Sequence, residues 1–186
     1  MPDPTDTITI ENVVASTALD QELDLDQLTA DPPSADYHPE RFPGLIYRIE
    51  EPTATTLLFR SGNIVATGAQ STDAIHIALV HLFDALAELG LLVPDHPTIT
   101  IQNIVSSADL TQPLNLHAIA LAVGLERIEY EPEQFPGLVY RLDDPLVVVL
   151  LFGSGKLVIT GGTTPTDAED AIETLQARLA AFNLLD

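Results

Sequence analysis

One block of sequence occurs twice. FPGLIYRIEEPTATTLLFRSGNIVATG begins at Phe42, and FPGLVYRLDDPLVVVLLFGSGKLVITGG begins at Phe135. Phe135 less Phe42, Phe152 less Phe59 and Thr160 less Thr67 all give 93, so whatever this chain folds into is made twice. Each copy reads as a strand, an acidic turn closed by Pro52 or Pro145, a second strand, a Ser-Gly turn at Ser61-Gly62 or Ser154-Gly155, and a third strand. That is a three-stranded meander.

Two phenylalanines 17 residues apart in each copy would ordinarily fill a core. Alternation weighs against that reading. In Thr56-Leu57-Leu58-Phe59 it puts Leu57 and Phe59 on one face and Leu58 on the other, and in the next strand Val65 and Thr67 oppose Ile64 and Ala66. Both faces of the meander are therefore apolar. One face packs on helices, and the other needs a second partner.

The rest of each repeat follows the same logic. TITIENVVAS from Thr7 and TITIQNIVSS from Thr98 are twin strands, but Asn103 less Asn12 gives 91, which places a two-residue difference near Asp31-Pro32-Pro33-Ser34. Short helical pieces are expected near Leu23 to Thr29 and Asn115 to Ala122, and a further strand near Tyr37 or Tyr130. Ser71 reads as the cap of a long amphipathic helix carrying Ile75, Leu79, Leu82, Leu86 and Leu89, stopped by Gly90. Its twin has Thr164 as cap, Pro165 at the first helical position, Asp167 completing a capping box, and Ile172, Leu175, Leu179 and Phe182 on the buried stripe. The expected organisation is a loose polar lead-in over residues 1–6, a first repeat over 7–97 and a second over 98–186, with about ten strands under helices on one face.

Charge is the odd feature. Seven Lys and Arg stand against 28 Asp and Glu, a net −21, with Lys156 the sole lysine. The two meanders are exceptions, since Arg48 and Arg60 balance Glu50 and Glu51, and Arg141 and Lys156 balance Asp143 and Asp144. All of the excess lies outside them. Scattered acid with almost no lysine suits a protein working in multimolar salt, where screening within about 3 Å makes self-repulsion tolerable. A disordered acidic tail fits poorly with 46% hydrophobic residues.

Candidate chemistry is thin. The carboxylate pairs Glu50-Glu51 and Asp143-Asp144 precede prolines in hairpin turns and read as solvated turn residues. His38, His76, His81, His96 and His117 lack metal-ligand spacing, there is no cysteine, and no metal or cofactor is assigned. Gly153-Ser154-Gly155-Lys156 lacks the phosphate-loop glycine, where Leu150 stands, and the following Ser or Thr, where Leu157 stands. No catalytic residue is assigned, and an enzyme is not expected. With no apolar run of membrane length, no signal-peptide pattern and no cysteine, the expected location is cytoplasmic.

Asn-x-Val, Phe, Arg, Leu-x-Phe, Ser-Gly and Val-x-Thr-Gly recur in one order in both halves. This set resembles the TATA-box binding protein family, archaeal type, from about Thr7 to Phe182, here with a halophile-like acidic composition. The resemblance implies an α+β fold: a pseudo-two-fold saddle whose curved antiparallel sheet of about ten strands carries helices on its convex face. It also implies a transcription initiation factor that binds and bends promoter DNA at the TATA box. By similarity Phe42 with Phe59, and Phe135 with Phe152, enter the DNA as two pairs. Arg48 and Arg141 resemble the family's phosphate-contacting arginines, with Lys156, Arg60, Ser61 and Ser154 as helpers.

The open face read from alternation carries Val14, Leu57 and Val65 in one half and Val105, Leu150 and Val158 in the other, with Asn12, Thr67, Asn103 and Thr160 as its polar members. A minor groove over A·T pairs complements it, because that groove offers acceptors and no guanine amino group. Where the family usually carries lysines this chain has Asn63, Gln70 and Thr163, so counterion release should be weak and DNA affinity should rise with salt. Tyr130-Glu131-Pro132-Glu133 resembles the loop through which the family holds transcription factor B, which makes Glu131 and Glu133 partner-binding candidates and RNA polymerase a further partner. Off DNA, the apolar face invites a homodimer. The other reading, from a different class, is an acidic interaction module that keeps the saddle and binds no DNA.

Overall fold

The computed structural model describes residues 2–30 and 34–185. By contacts the chain divides into two units, Asn12–Gln102 and Met1–Glu11 with Asn103–Asp186. The position of the two-residue difference between repeats falls partly on residues 31–33, outside the described residues.

In the first unit β1 (Thr9–Ala18) is followed by a 3-10 turn (Gln27–Ala30), β2 (Ala35–Asp36), β3 (Leu45–Ile49), β4 (Ala54–Leu58), β5 (Asn63–Ala69) and α1 (Thr72–Glu88). The strands run in the order β2-β3-β4-β5-β1, all antiparallel. The second unit repeats this with β6 (Thr100–Asp109), α2 (Leu116–Val123), β7 (Ile128–Glu129), β8 (Leu138–Asp143), β9 (Leu146–Leu151), β10 (Lys156–Gly162) and α3 (Thr166–Ala181), in the order β7-β8-β9-β10-β6. The expected meanders are β3-β4-β5 and β8-β9-β10. The short helical piece expected near Leu23 to Thr29 is a single 3-10 turn, while its counterpart α2 is a true helix capped by Asn115, whose Oδ1 accepts from the Ala118 N–H at 3.1 Å.

Alternation becomes burial in both units. Val13, Ala15, Leu58, Ile64 and Ala66 are buried on the side of α1, where Ile75, Ala78, Leu79, Leu82 and Leu86 meet them. The second unit packs Ile104, Val149, Leu151, Leu157 and Ile159 against Ala171, Ile172, Leu175 and Leu179 of α3. Truncating a fully buried leucine in either core, such as Leu79 or Leu175, removes about 2–5 kcal/mol.

Local signals set the ends of the elements. Ser71 Oγ accepts from the Ala74 N–H at 3.0 Å. At α3 the cap works from inside the helix: Asp167 Oδ2 accepts from the Thr163 and Thr164 N–H groups at 2.8 and 2.9 Å, while the Thr164 hydroxyl pairs with Thr166. The Ser-Gly turns need glycine, since Gly62 and Gly155 have φ of +89° and +94°, and a Cβ there would lie 2.3 and 2.1 Å from the carbonyl oxygens of Gln21 and Gln112.

The structure corrects two helix-stripe expectations. Leu89 and Phe182 lie beyond α1 and α3 and are exposed, Phe182 by 48%. Both helices close with a left-handed residue, Gly90 or Asn183, and the Leu91 and Leu184 N–H groups reach back to the Leu86 and Leu179 carbonyls. This Schellman closure turns the next periodic residue outward and leaves Leu91 and Leu184 half-buried, Leu184 against the core. Nor are residues 4–7 loose: they form a 3-10 turn capped by Asp3, and Thr7 Oγ1 accepts from the Asp109 N–H at 2.8 Å. The Asp3 carboxyl is held below its ordinary range by its hydrogen bonds from Thr5.

Candidate nucleic-acid interface

In each unit the strands have a second face that no helix among the described residues covers. Asn12, Val14, Leu57, Phe59, Val65 and Thr67 are half-buried, as are Asn103, Val105, Leu150, Phe152, Val158 and Thr160, in contrast to their fully buried strand neighbours. Register shows how these residues line up. Ile46 stands opposite Leu57, Leu57 opposite Val65 and Val65 opposite Ser16; Val139, Leu150, Val158 and Ser107 repeat that row. Directly opposed residues in antiparallel strands share a face. Ile46 and Val139, missed from sequence, therefore belong to the open face with the others.

A second row explains the arginines. Arg48 opposes Thr55 and Thr55 opposes Thr67, while Arg141 opposes Val148 and Val148 opposes Thr160. Both guanidinium groups thus start from the open face, one strand short of the sheet edge. Each has an acid close by on the short edge strand: Arg48 Nη2 lies 4.0 Å from Asp36 Oδ2, and Arg141 Nη2 lies 3.4 Å from Glu129 Oε2. These pairings join residues 12 positions apart and carried no sequence signal. Arg60, Ser61, Ser154 and Lys156 are exposed at the Ser-Gly turns, where Ser61 and Ser154 Oγ accept long bonds, 3.4 Å, from the Asn63 and Lys156 N–H groups.

The polar members form one constellation in each half. Asn12 Oδ1 accepts from the Gly68 N–H at 2.7 Å and Asn12 Nδ2 donates to Thr67 Oγ1 at 3.1 Å; Asn103, Gly161 and Thr160 repeat this at 2.7 and 3.2 Å. The glycines make it possible. Strand pairing slips between Val13 and Ala15 and again between Ile159 and Gly162, and Gly68 and Gly161 sit at these bulges with φ of +91° and +96°. Because a peptide N–H occupies the amide oxygen, the amide nitrogen faces threonine. Each threonine hydroxyl lies 3.3 or 3.4 Å from that same amide oxygen as a second, longer donor, and the second amide proton is left for donation outward. Each half offers a hydrogen-bond donor in an apolar field.

The aromatic pairs are also duplicated. Phe42 and Phe59 meet edge to face at 5.9 Å and 67°, Phe135 and Phe152 at 5.9 Å and 72°. None of the four is sealed beneath a helix, and Phe135 is 40% exposed. Gly44 and Gly137 leave room for the rings: a Cβ at either would lie 2.6 Å from the first ring of its pair. The repeated Phe-Pro-Gly was the signal for them. His38 and Glu131 carbonyls accept from the Phe42 and Phe135 N–H groups, both at 3.0 Å, so one tight turn presents each leading ring.

Those turns differ outside the backbone. His38 lies 3.0 Å from Asp36 and 3.7 Å from Glu40, so the first turn's acids have a neighbour of their own. Glu131 and Glu133 are exposed and form no ion pair among the described residues. Asp143, in the second acidic hairpin turn, pairs with Arg127.

Comparison with known proteins points the same way. The family described as transcription factor TFIID, or TATA-binding protein, matches residues 7–89 and 98–182. Over 186 residues, all of this chain and 98% of the relative, identity is 63% to TATA-box-binding protein 1 of Haloferax volcanii. It is 62% to TATA-box-binding protein E of Halobacterium salinarum over the full length of both chains. The solved structure of Methanococcus jannaschii TBP matches with a TM-score of 0.83 and 46% identity, covering 96% of this chain and 99% of that one.

Proposed function

The chain belongs to the TATA-binding protein family, as a TATA-box-binding transcription initiation factor and not an enzyme, and from that premise we propose how its residues divide the work. The open faces take the minor groove of an A·T-rich promoter. Asn12 with Thr67, and Asn103 with Thr160, donate to adenine N3 and thymine O2, while Val14, Leu57, Val65, Val105, Leu150 and Val158 fill the groove and leave a guanine amino group crowded and unsatisfied. Phe42 with Phe59, and Phe135 with Phe152, wedge into base steps and kink the duplex, a use of apolar side chains for which this family is the standing example. Unstacking costs a few kcal/mol per step, offset by apolar burial and closer backbone contact. Arg48 and Arg141 hold phosphates, with Arg60, Ser61, Ser154 and Lys156 beside them.

The duplicated Asn–Thr pairs, each with an outward amide proton, beside uncovered phenylalanines are what supports this reading most. The interaction-module alternative is not favoured, because full-length relatives carry the name of the TATA box. Glu131 and Glu133 receive cations of transcription factor B, RNA polymerase follows, and free protein pairs through its open faces. The factor works on the nucleoid.

Few cations face phosphate while a net −21 repels it, so the electrostatic balance differs from that of an ordinary DNA binder. In a gel shift, a TATA duplex should bind in molar KCl, a scrambled duplex should not, and TATA affinity should rise from low to molar KCl. Equal retention of both duplexes would remove the sequence-reading role of the face. A steep fall with salt would remove the electrostatic account while leaving that role intact.

A further inference from the structure

The two long helices are copies, and their solvent faces disagree at several equivalent positions, three of which trade an acid of α3 for His, Ile or Val in α1. Where α3 carries Glu169, Asp170 and Glu173, α1 carries His76, Ile77 and Val80, 93 residues earlier in each case. All six are exposed, Ile77 by 49% and Val80 by 50%. At these positions the second copy carries charged residues, the usual occupants of a solvated helix face. Salt that strengthens apolar burial makes two exposed β-branched residues on one helical turn still less favourable as a free surface.

The patch does not stop at the helix. Beside it lies a cavity of about 300 Å³, lined by Val80, Phe83 and Ala87 of α1 and by Val93, Pro94 and Pro97 of the segment that follows. It has room for an apolar side chain. Its border is acidic: Asp73, Asp84, Glu88 and Asp95 are all exposed, and no lysine or arginine occurs between Arg60 and Arg127. A second copy of this face would bring acid against acid. Charge complementarity instead selects a partner with an apolar stripe flanked by Arg or Lys.

We propose that the outer face of α1, with the adjoining cavity, docks a basic amphipathic helix of another protein. The surface is separate from the open sheet faces, so a partner seated there leaves DNA binding free.

The test uses the full chain and a fluorescent 18-residue peptide with leucines on one helical face and arginines flanking them, followed by anisotropy in molar KCl. Two control peptides replace the arginines by glutamates or the leucines by serines. The Ile77→Asp, Val80→Glu double variant installs the residues that the second copy tolerates, and retained TATA binding in a gel shift reports its folding. An Ile77→Ser, Val80→Ser variant serves if the first loses DNA binding. Wild type should bind the leucine-arginine peptide best, and the variant should bind it about tenfold more weakly, the scale of two half-buried aliphatic side chains. Equal binding by wild type and variant, no preference over either control peptide, or no peptide binding at all would overturn the proposal. So would sedimentation showing that wild type dimerises and the variant does not, since α1 would then be a self-association face.

Discussion

The two repeats match residue for residue across most of the open sheet faces and differ in the turns and helix surfaces around them. Leu57 and Leu150, Val65 and Val158, Phe59 and Phe152, and the Asn–Thr–Gly constellations are residue-for-residue copies. The turns that present the leading phenylalanines share a backbone, yet one carries His38 between two acids and the other carries Glu131 and Glu133, which form no ion pair among the described residues. A nearly two-fold ligand such as a run of A·T pairs can keep both copies of a face alike. A protein partner that engages one copy only, as proposed for Glu131 and Glu133, would release the other copy to drift.

Reversing Glu131 and Glu133 to arginine should break this division most visibly. The complex with transcription factor B on TATA DNA should be lost, by more than about 100-fold if two charge-assisted contacts of roughly 1.5–3 kcal/mol each are removed. DNA binding alone should not change. Reversing Glu40 in the first turn should leave the ternary complex intact. Recruitment measured by gel supershift checks all three, and equal effects in both turns would erase the asymmetry.

Asn12→Ala and Asn103→Ala sharpen the shared side. Each removes one set of groove donors and leaves its bulge N–H unpaired, so TATA affinity should fall about tenfold in both and by similar factors. A large effect in one half alone would mean that the duplicated geometry is not used twice.

Much of this was legible because alternation alone decides which face a strand residue takes, and the duplication places each such residue a second time. Ile46 and Val139 were not, because their place depends on which residue of the next strand stands opposite. The Gly68 and Gly161 bulges escaped for a related reason: the slip in pairing that aims their N–H groups at asparagine is a property of two strands. Leu89 and Phe182 were misplaced by carrying a 3.6-residue period past the left-handed residues that end it.

Asp167 gives the smallest test, at the start of α3. Partial burial works to raise its carboxyl, but the Thr164 and Thr163 N–H groups outweigh it and the result lies below the ordinary value. A carboxyl lowered in the fold stabilises above its unfolded pKa, and that stability is lost as pH falls through the folded value. Asp167→Asn should cost about 1 kcal/mol at neutral pH and flatten the acid limb of thermal stability against pH. Ser71, which caps α1 through a hydroxyl, has no such limb to lose.

Energy transfer between the ends of a TATA duplex, in molar KCl, addresses the central claim most directly. Wild type should bring the ends closer, and Phe59→Ala or Phe152→Ala should each relieve part of that bend, with the double variant relieving most of it while some binding through the Asn–Thr donors persists. A bend unchanged in the double variant would contradict the account, because the duplicated rings would then not be what opens the stack.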